Sequence, residues 1–509
     1  MKPKATSKEW IGLAMIALPC FVYAMDLTVL TLAVPRITKD LHPTSSQLLW
    51  IIDIYGFMVA GLLITMGMIG DQIGRRRLLL LGAVVFVIAS FSAAFSTSAT
   101  MLIINRALLG IAGATIAPST LSLIRNMFHN DKERTMAVGI WITSYSAGSA
   151  IGPLIGGLIL QSFSWGAVFL AAIPIMLLVL VLGPRFLPEF RNSRALRVDF
   201  LSVFLSIASV LLIVFGLKKI AEDGFEIIYI VLIGGGIELG RRFLVRQSMI
   251  AYPLVDIRLL SGKSQVGGLL TLNLLTVFIA FGGYIYIVQY LQMVLGLSPL
   301  AAGIWTLPWS CGFIAGSLLT PKIVQLYDRQ SVMTAGLSLA ALAFFILAQI
   351  STLHLLAIVA TSVLFALGVS PVVTLLTDMV LGEVEPENAG AAGALSETSS
   401  ELGGALGIAI LGSVGTAVYR SCMNKALPLG LETGQESDAI NSVGGALNVA
   451  QQLEESTRET LIDSARSSFI SSMTVISFVN AAIAVGLIFF IIRFLRSGKK
   501  QTQLMNGHQ

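Results

Sequence analysis

Charge is scarce in this chain: only 12% of its 509 residues are Asp, Glu, Lys or Arg. A soluble domain carries about twice that share. With 55% hydrophobic residues and a mean hydropathy of +0.84, the composition excludes a soluble globular protein and points to an integral membrane protein. Cysteine is nearly absent too. Cys20, Cys311 and Cys422 are too few for a disulfide framework, and two of them lie in apolar runs, so redox chemistry and a metal cluster are not expected. The four histidines, His42, His129, His354 and His508, fall in or near loops and form no cluster. No phosphate-binding loop or nucleophile elbow is present, which argues against an enzyme or an ATP-driven pump and leaves no cofactor to expect. The first apolar run lacks a small-residue cleavage site and carries Asp26, so it reads as a retained helix and not as a signal peptide.

What the chain does have is a succession of apolar runs, each long enough for the ~20 helical residues that cross a bilayer. About fourteen occur, near 10–34, 46–70, 78–96, 101–125, 135–160, 167–187, 199–217, 225–243, 265–293, 302–326, 332–350, 353–381, 390–419 and 469–493. The net charge of +5 follows the membrane and does not suggest nucleic acid. Basic clusters at Arg75–Arg77, Lys132 and Arg134, Arg191, Arg194 and Arg197, Arg241, Arg242 and Arg246, and Arg493 and Arg496 recur on alternate loops. Basic loops face the cytoplasm, which sets both termini inside and requires an even span count. Three segments follow: a six-helix bundle over 1–190, two further spans with basic linkers over 191–263, and a second six-helix bundle over 264–509. One outer segment, about 420–468, is long and polar. Val443, Leu447, Ala450 and Leu453, then Leu461, Ile462 and Ala465, recur at helical spacing and predict a helical hairpin on the outer face.

An ionisable group inside a span costs about 2.5–3.5 kcal/mol to insert, so each is a functional candidate. The first bundle holds Asp26 and Asp53, with Arg106 in span four as counter-charge. In span thirteen Glu397 and Glu401 stand one helical turn apart, on one face, among the glycines and alanines between Gly390 and Gly407. Two carboxylates so placed repel, and burial opposes their charge, so the pair is suited to taking up and releasing a proton. A cation entering beside them competes with that proton. Tyr23, Trp50, Tyr55, Trp141, Tyr145, Tyr284, Trp305 and Trp309 are candidates to meet a flat cation with their ring faces.

Two motifs speak to movement. Gly67-Met-Ile-Gly-Asp71-Gln-Ile-Gly74-Arg75-Arg76-Arg77 ends span two at the inner surface, with Asp71 placed to approach a neighbouring helix N-terminus, and is echoed weakly by Thr320 to Arg329 after span ten. Gly148-Ser-Ala-Ile-Gly152-Pro153-Leu-Ile-Gly156-Gly157 is an uncharged stretch of span five. Its small residues permit close helix approach and its proline removes one ladder hydrogen bond.

These segments resemble the major facilitator superfamily, and within it the fourteen-span drug:proton antiporter branch, over nearly the whole chain. Gly67 to Arg77 is similar to that family's inter-span signature, Asn105-Arg106-Ala-Leu-Leu-Gly110 to its span-four arginine motif, Gly148 to Gly157 to its antiporter motif, and Asp26-Leu-Thr28 with Ala33-Val-Pro35 to its span-one motif. Leu49-Trp50-Ile-Ile-Asp53-Ile-Tyr55 resembles the quaternary ammonium exporters of the branch. The resemblance implies a major facilitator fold in a bacterial cytoplasmic membrane. It implies a monomer that exports lipophilic mono- and divalent cations such as quaternary ammonium antiseptics, biguanides and dyes in exchange for protons. Asp26, Asp53, Arg106, Glu397 and Glu401 would couple and bind, and Gly67, Asp71, Gly74, Arg75 and Arg76 would gate. The alternative is a proton-coupled transporter of one physiological solute. Where the branch can carry adjacent acids in span thirteen, Ser396 precedes Glu397 here, and the second acid is Glu401.

Overall fold

A backbone in hydrocarbon must satisfy its own hydrogen bonds, and helices do so within each segment. The computed structural model describes residues 4–43, 45–191, 199–223, 226–250, 265–349, 354–385, 389–428 and 431–506, and regular structure among them is helical. Arg194, Arg197 and His508, and the linker over 251–264, lie outside the described residues. The first bundle comprises α1 (Ser7–Leu41), α2 (Ser45–Ile73), α3 (Arg75–Ala94), α4 (Ala99–Gly113), α5 (Ile116–Met127), α6 (Asp131–Ser162), α7 (Ala167–Leu170) and α8 (Ile173–Phe186). Here α4 with α5, and α7 with α8, each form one interrupted span. The central pair is α9 (Phe200–Asp223) and α10 (Ile227–Met249). The second bundle follows as α11 (Gln265–Gln289, extended by a π turn over Tyr290–Val294), α12 (Pro299–Leu326), α13 (Arg329–Leu347), α14 (Leu355–Gly382), α15 (Ala389–Ala426), α16 (Thr433–Asn441), α17 (Val443–Ala450) and α18 (Glu455–Asn506).

Among the described residues, 12 helical stretches are long and apolar enough to cross a membrane. The central pair differs from them. The apolar stretch of α9 is the shorter Leu201–Leu217, and α10 carries Glu238, Arg241, Arg242 and Arg246 in its second half. The two pack on each other through the Ser209 hydroxyl donating to Gly236 O (2.8 Å), the Gln247 amide donating to Ser202 Oγ (2.8 Å) and Arg246 paired with Asp199. Phe57 and Ala60 of α2 join Val210 and Val214 of α9 in one apolar cluster, with Leu402 of α15 packed against it. The central pair therefore lies against both bundles.

Each bundle has its own apolar core. Leu13, Met25, Tyr55, Phe86 and Phe169 belong to the first, and Met333, Phe344, Phe365, Leu375 and Ile476 to the second. Helix starts follow local chemistry. Thr6 and Glu9 form a capping box at the start of α1, and Ser98, Asn130, Ser298 and Asp328 cap α4, α6, α12 and α13 through their side chains.

The outer segment differs from the hairpin expected over 420–468. Helix α15 runs on to Ala426, and α18 already begins at Glu455, so Leu461 and Ala465 belong to the last span. Among the described residues α16 and α17 stand between them, short because Ser442 interrupts the chain in extended conformation and caps α17. They are anchored by the buried Tyr419 hydroxyl, which donates to Ala439 O at 2.9 Å, and by Arg458, whose Nε donates to Ala450 O at 3.1 Å. Replacing Tyr419→Phe deletes one buried hydrogen bond and leaves an acceptor unmet, a loss of about 1–3 kcal/mol. Amide hydrogen exchange should accelerate across 433–450 in this variant while the cores of both bundles stay protected.

Candidate functional site

The innermost charged pair joins α1 to α4. Arg106 is 1% exposed and Asp26 is 3% exposed, and Arg106 Nη1 donates to Asp26 Oδ2. Two further contacts fix the guanidinium: its Nε donates to Ile51 O at 3.2 Å, and its Cζ lies 4.7 Å from the Tyr55 ring centroid. Burying an ion pair is costly unless its remaining donors find partners, and the Ile51 carbonyl and the Tyr55 ring offset part of that cost. Gly110 and Gly113 make room, since a Cβ on Gly110 would run into Tyr55 backbone and one on Gly113 into the Tyr55 and Tyr23 side chains. Asp53 sits half-buried on α2, two residues beyond Ile51.

From this pair a line of aromatics leads toward the second bundle. Tyr55 donates its hydroxyl to Tyr23 O at 3.3 Å, the Tyr23 and Tyr55 rings lie 6.0 Å apart, and Tyr23 and Tyr145 lie 5.8 Å apart. Glu397 and Glu401 of α15 lie within electrostatic range of Tyr23 and Tyr145, and of one another, so acids of the second bundle and tyrosines of the first lie near the same boundary. Both glutamates are partly exposed. The structure thus brings Asp26, Arg106, Tyr23, Tyr55, Tyr145, Glu397 and Glu401 into one connected region.

Other aromatic candidates lie elsewhere. Trp50, 40% exposed, stacks on Phe215 of α9 at 6.3 Å and meets Phe57 edge-on, packing against the central pair. Trp141 is 4% exposed and donates its indole N–H to Thr120 Oγ1 at 2.9 Å, which makes it a core residue of the first bundle. Tyr284 and Trp309 form a pair of their own at 4.4 Å, extended by Phe313, and Trp305 is half-buried four residues earlier on α12. The sequence cannot separate these roles because an aromatic on a helix looks the same whichever neighbour it meets.

The antiporter glycines face α1. A Cβ on Gly148 would collide with Phe21 O, on Gly152 with Thr28 Oγ1, and on Gly156 with the Val29 side chain. These contacts bracket Asp26, so the stripe sets how closely the Asp26 helix is held. Pro153 stands inside α6 within the stripe, and Gly157 is only partly buried. The close helix approach that these small residues permit is made to α1, within the first bundle. A matching seam exists in the second, where a Cβ on Gly403 would strike Leu274 O and one on Gly407 would strike Phe278 O of α11.

The inner ends of the bundles meet through charge. Asp71 pairs with Arg75 one turn along its own chain, and Gly74, at φ 108°, permits the sharp entry into α3 that a side chain would strain. Glu189 accepts from the backbone N–H of Arg76 and Arg77, capping α3, while Arg76 Nη1 donates to Pro184 O and Leu187 O. Gly67 fits against Gly390 and Ala394 of α15, and the Arg75 guanidinium fills the space at Gly390. The cross-bundle ion cluster is a different one. Asp378 of α14 is fully buried and accepts from Arg134 Nε at 2.8 Å, from Thr135 Oγ1 at 2.8 Å and from Arg329 Nη2 at 2.9 Å. Arg125 Nη2 reaches Val384 O at 3.1 Å beside it. Sequence reasoning missed Asp378, although a lone acid at the end of an apolar run carried the signal.

Two interlocked bundles of membrane helices, with acids and aromatics gathered near where they meet and an ion cluster tying their inner ends, define a multi-pass membrane transporter. The family model described as Major Facilitator Superfamily matches residues 16–408, and the chain belongs to that family. It is 41% identical to the multidrug efflux pump LfrA of Mycolicibacterium smegmatis over 95% of both chains. It is 36% identical to the methyl viologen resistance protein SmvA of Salmonella typhimurium, over 92% of this chain and 94% of that one. The crystal structure of the human organic anion transporter MFSD10 superposes with a TM-score of 0.62 at 13% identity, covering 94% of this chain and 98% of that one, a likeness of fold alone.

Two consequences can be measured. Asp378→Asn removes the charge shared by Arg134 and Arg329, and about 1.4 kcal/mol of lost attraction already changes a two-state population tenfold. In a cysteine-free background carrying Leu121→Cys, whose wild-type leucine abuts Gly393 across the bundles, Asp378→Asn should raise inner-side maleimide labelling about tenfold by the same arithmetic. Gly152→Leu should abolish transport at normal expression, because its side chain displaces Thr28 and with it the helix of Asp26. Vesicle flux and ligand binding, measured on one preparation, separate a block of movement from a loss of folding.

Proposed function

We propose that this protein is a proton-coupled multidrug efflux antiporter that exports lipophilic mono- and divalent cations, quaternary ammonium antiseptics, biguanides and dyes among them, by alternating access. The observation that carries the reading is the placement of Glu397 and Glu401 opposite Tyr23 and Tyr145, with Tyr55 linking this face to the Asp26–Arg106 pair. Carboxylates beside aromatic faces suit a flat, delocalised cation. The rings supply apolar area and cation–π attraction of about 0.5–2 kcal/mol each, and the acids supply charge that a neutral or anionic solute would not use. The names of the relatives support efflux, and methyl viologen, named in one of them, is a planar aromatic dication.

Coupling follows from competition. In a water-poor cavity a carboxyl group is either protonated or matched by another positive charge. When a cation arrives at Glu397 and Glu401 the proton leaves, and when the cation departs a proton restores neutrality. Asp26 adds a second titratable group whose partner, Arg106, touches both Tyr55 and the α2 backbone, so a change of charge there is felt on three helices. Asp53 is assigned to the second charge of a dication. Movement takes place between two arrangements, one with the Asp378 cluster and the Gly67–Gly390 contact made at the inner ends and one with both broken. Membrane lipid surrounds a monomer whose termini lie in the cytoplasm, and the proton gradient supplies the energy without a cofactor.

The test is drug-induced proton release from purified protein, read with a pH dye, alongside efflux of a fluorescent cation from vesicles. Asp26→Asn and Glu397→Gln should each abolish coupled efflux, and Asp53→Asn and Glu401→Gln should impair dications more than monocations. Wild-type rates in both of the first two variants would exclude proton coupling at these carboxylates.

A further inference from the structure

The two acids of α15 occupy one face of that helix, and a different face is held unusually tightly. At about 100° per residue, Ser396, Ser399, Ser400, Gly403 and Gly407 fall within a stripe that lies roughly 130° around from Glu397 and Glu401. That stripe faces α11. The Ser399 hydroxyl donates to Leu270 O at 2.7 Å, and the backbone of α11 passes so close to Gly403 and Gly407 that neither could carry a side chain. Between them stands Asn273 of α11, fully buried. Its Nδ2 donates to Ser400 Oγ at 2.8 Å and to Ser396 O at 3.2 Å, so one amide grips both ends of the helical turn that contains Glu397.

The grip is incomplete. Asn273 Oδ1 and Ser396 Oγ, an acceptor and a donor on facing helices, are both buried without a hydrogen-bond partner. A buried amide satisfied only by half costs stability that an apolar side chain at position 273 would not. Packing alone therefore does not explain an asparagine here, where the neighbouring Leu269, Leu270 and Leu272 of the same helix are buried and apolar. What Leu cannot do is distinguish one roll of α15 from another. A pair of hydrogen bonds to Ser396 O and Ser400 Oγ is directional, and a rotation of α15 by a fraction of a turn breaks both while carrying Glu397 and Glu401 off the tyrosines.

We propose that Asn273 is a positioning residue for the acid pair: by gripping Ser396 and Ser400 across the α11–α15 seam it sets the roll of α15 that directs Glu397 and Glu401 toward Tyr23 and Tyr145. Asn273 touches neither proton nor cation. It acts through the direction of the helix, as Gly148, Gly152 and Gly156 act on the helix of Asp26, but with a directional polar contact in place of bare contact.

This inference rests on the reading of Glu397 and Glu401 as the coupling acids, and its test includes a readout that needs no transport. Dicyclohexylcarbodiimide modifies protonated carboxyls in apolar surroundings, and mass spectrometry of the purified protein gives the rate at Glu397 across pH. The groups that face Glu397 in that titration are Glu401 on its own helix, Cys20 and Tyr23 of α1, and Tyr145 of α6. Asn273→Leu keeps the volume and removes the amide. It should change the Glu397 labelling rate at least about fivefold at fixed pH, and weaken tetraphenylphosphonium binding about tenfold or more, the scale expected when a reacting group is displaced by an ångström or so. Thermal unfolding should be unchanged or higher. Ser400→Ala, which removes one of the two grips and is the milder variant should Asn273→Leu not fold, should move both readouts in the same direction by less. An unchanged labelling profile and unchanged binding in a folded Asn273→Leu protein would overturn the proposal, as would a drop in unfolding temperature with no change in either readout. If wild-type protein releases no proton on binding the cation, the coupling reading fails instead, while the labelling comparison still decides the role of Asn273.

Discussion

The close approach of helix backbones across small residues is the constraint on which this structure depends. Between membrane helices there is no hydrophobic driving force, so packing must come from van der Waals contact and from the few polar groups that find partners. Two seams meet that requirement: Gly148, Gly152 and Gly156 against α1, and Gly403 and Gly407 against α11. Each seam involves a helix that bears an acid. Asp26 lies on the helix pressed by the first, and Glu397 and Glu401 lie on the helix that contributes the glycines of the second. Close contact thus fixes the helices that carry charge, and leaves the boundary between bundles, where those charges face the tyrosines, as the place where the protein can change.

That boundary is held at its inner end by charge together with apolar contacts, Leu381 of α14 entering the first core and Met68 of α2 packing against the second. Asp378 gathers Arg134 and Thr135 from one bundle and Arg329 from the other, while Arg75 lies against Gly390. Ion pairs make a suitable closure because their desolvation cost nearly balances their attraction. A cluster of this kind can open when water enters, whereas an apolar seam of equal area would resist. The central pair α9 and α10 rests against α2 and α15, adjoining both sides of the boundary without taking part in the ion cluster.

Much of the fold was legible in the chain. Most of the apolar runs lie within a few residues of the observed helices because a span must be both long and continuous, and Gly74 and the loop basic residues marked the inner ends for equally local reasons. The candidate site was legible only in part. Asp26, Arg106, Glu397 and Glu401 stand out because charge in an apolar run is costly wherever it falls, and the structure gathers them. Asp378 carried that same signal near the end of its run. Trp50 and Trp141 did not separate from Tyr23 and Tyr145, since one packs on Phe215 and the other is absorbed into the first core, and periodicity says nothing of which neighbour a face will meet. The outer segment went differently for a local reason: the apolar spacing around Leu461 continues into the last span, so the helix starts earlier and the expected hairpin shrinks to two short helices.

By itself, then, the amino-acid order determined the class of molecule, the approximate place of its apolar runs, and a short list of charges that are costly where they stand. Those properties depend on the sum of local transfer energies along one chain segment at a time. Tertiary structure alone decided which partner each charge received, that the antiporter glycines press on the helix of Asp26, that Arg134 reaches Asp378 of the second bundle while Asp71 pairs with Arg75, and that Asn273 grips the turn holding Glu397. Most of those depend on contacts between residues far apart in the chain, 80 positions for Asp26 and Arg106 and 244 for Arg134 and Asp378, where the direction of a helix face, set by packing against every neighbour at once, determines what a side chain meets.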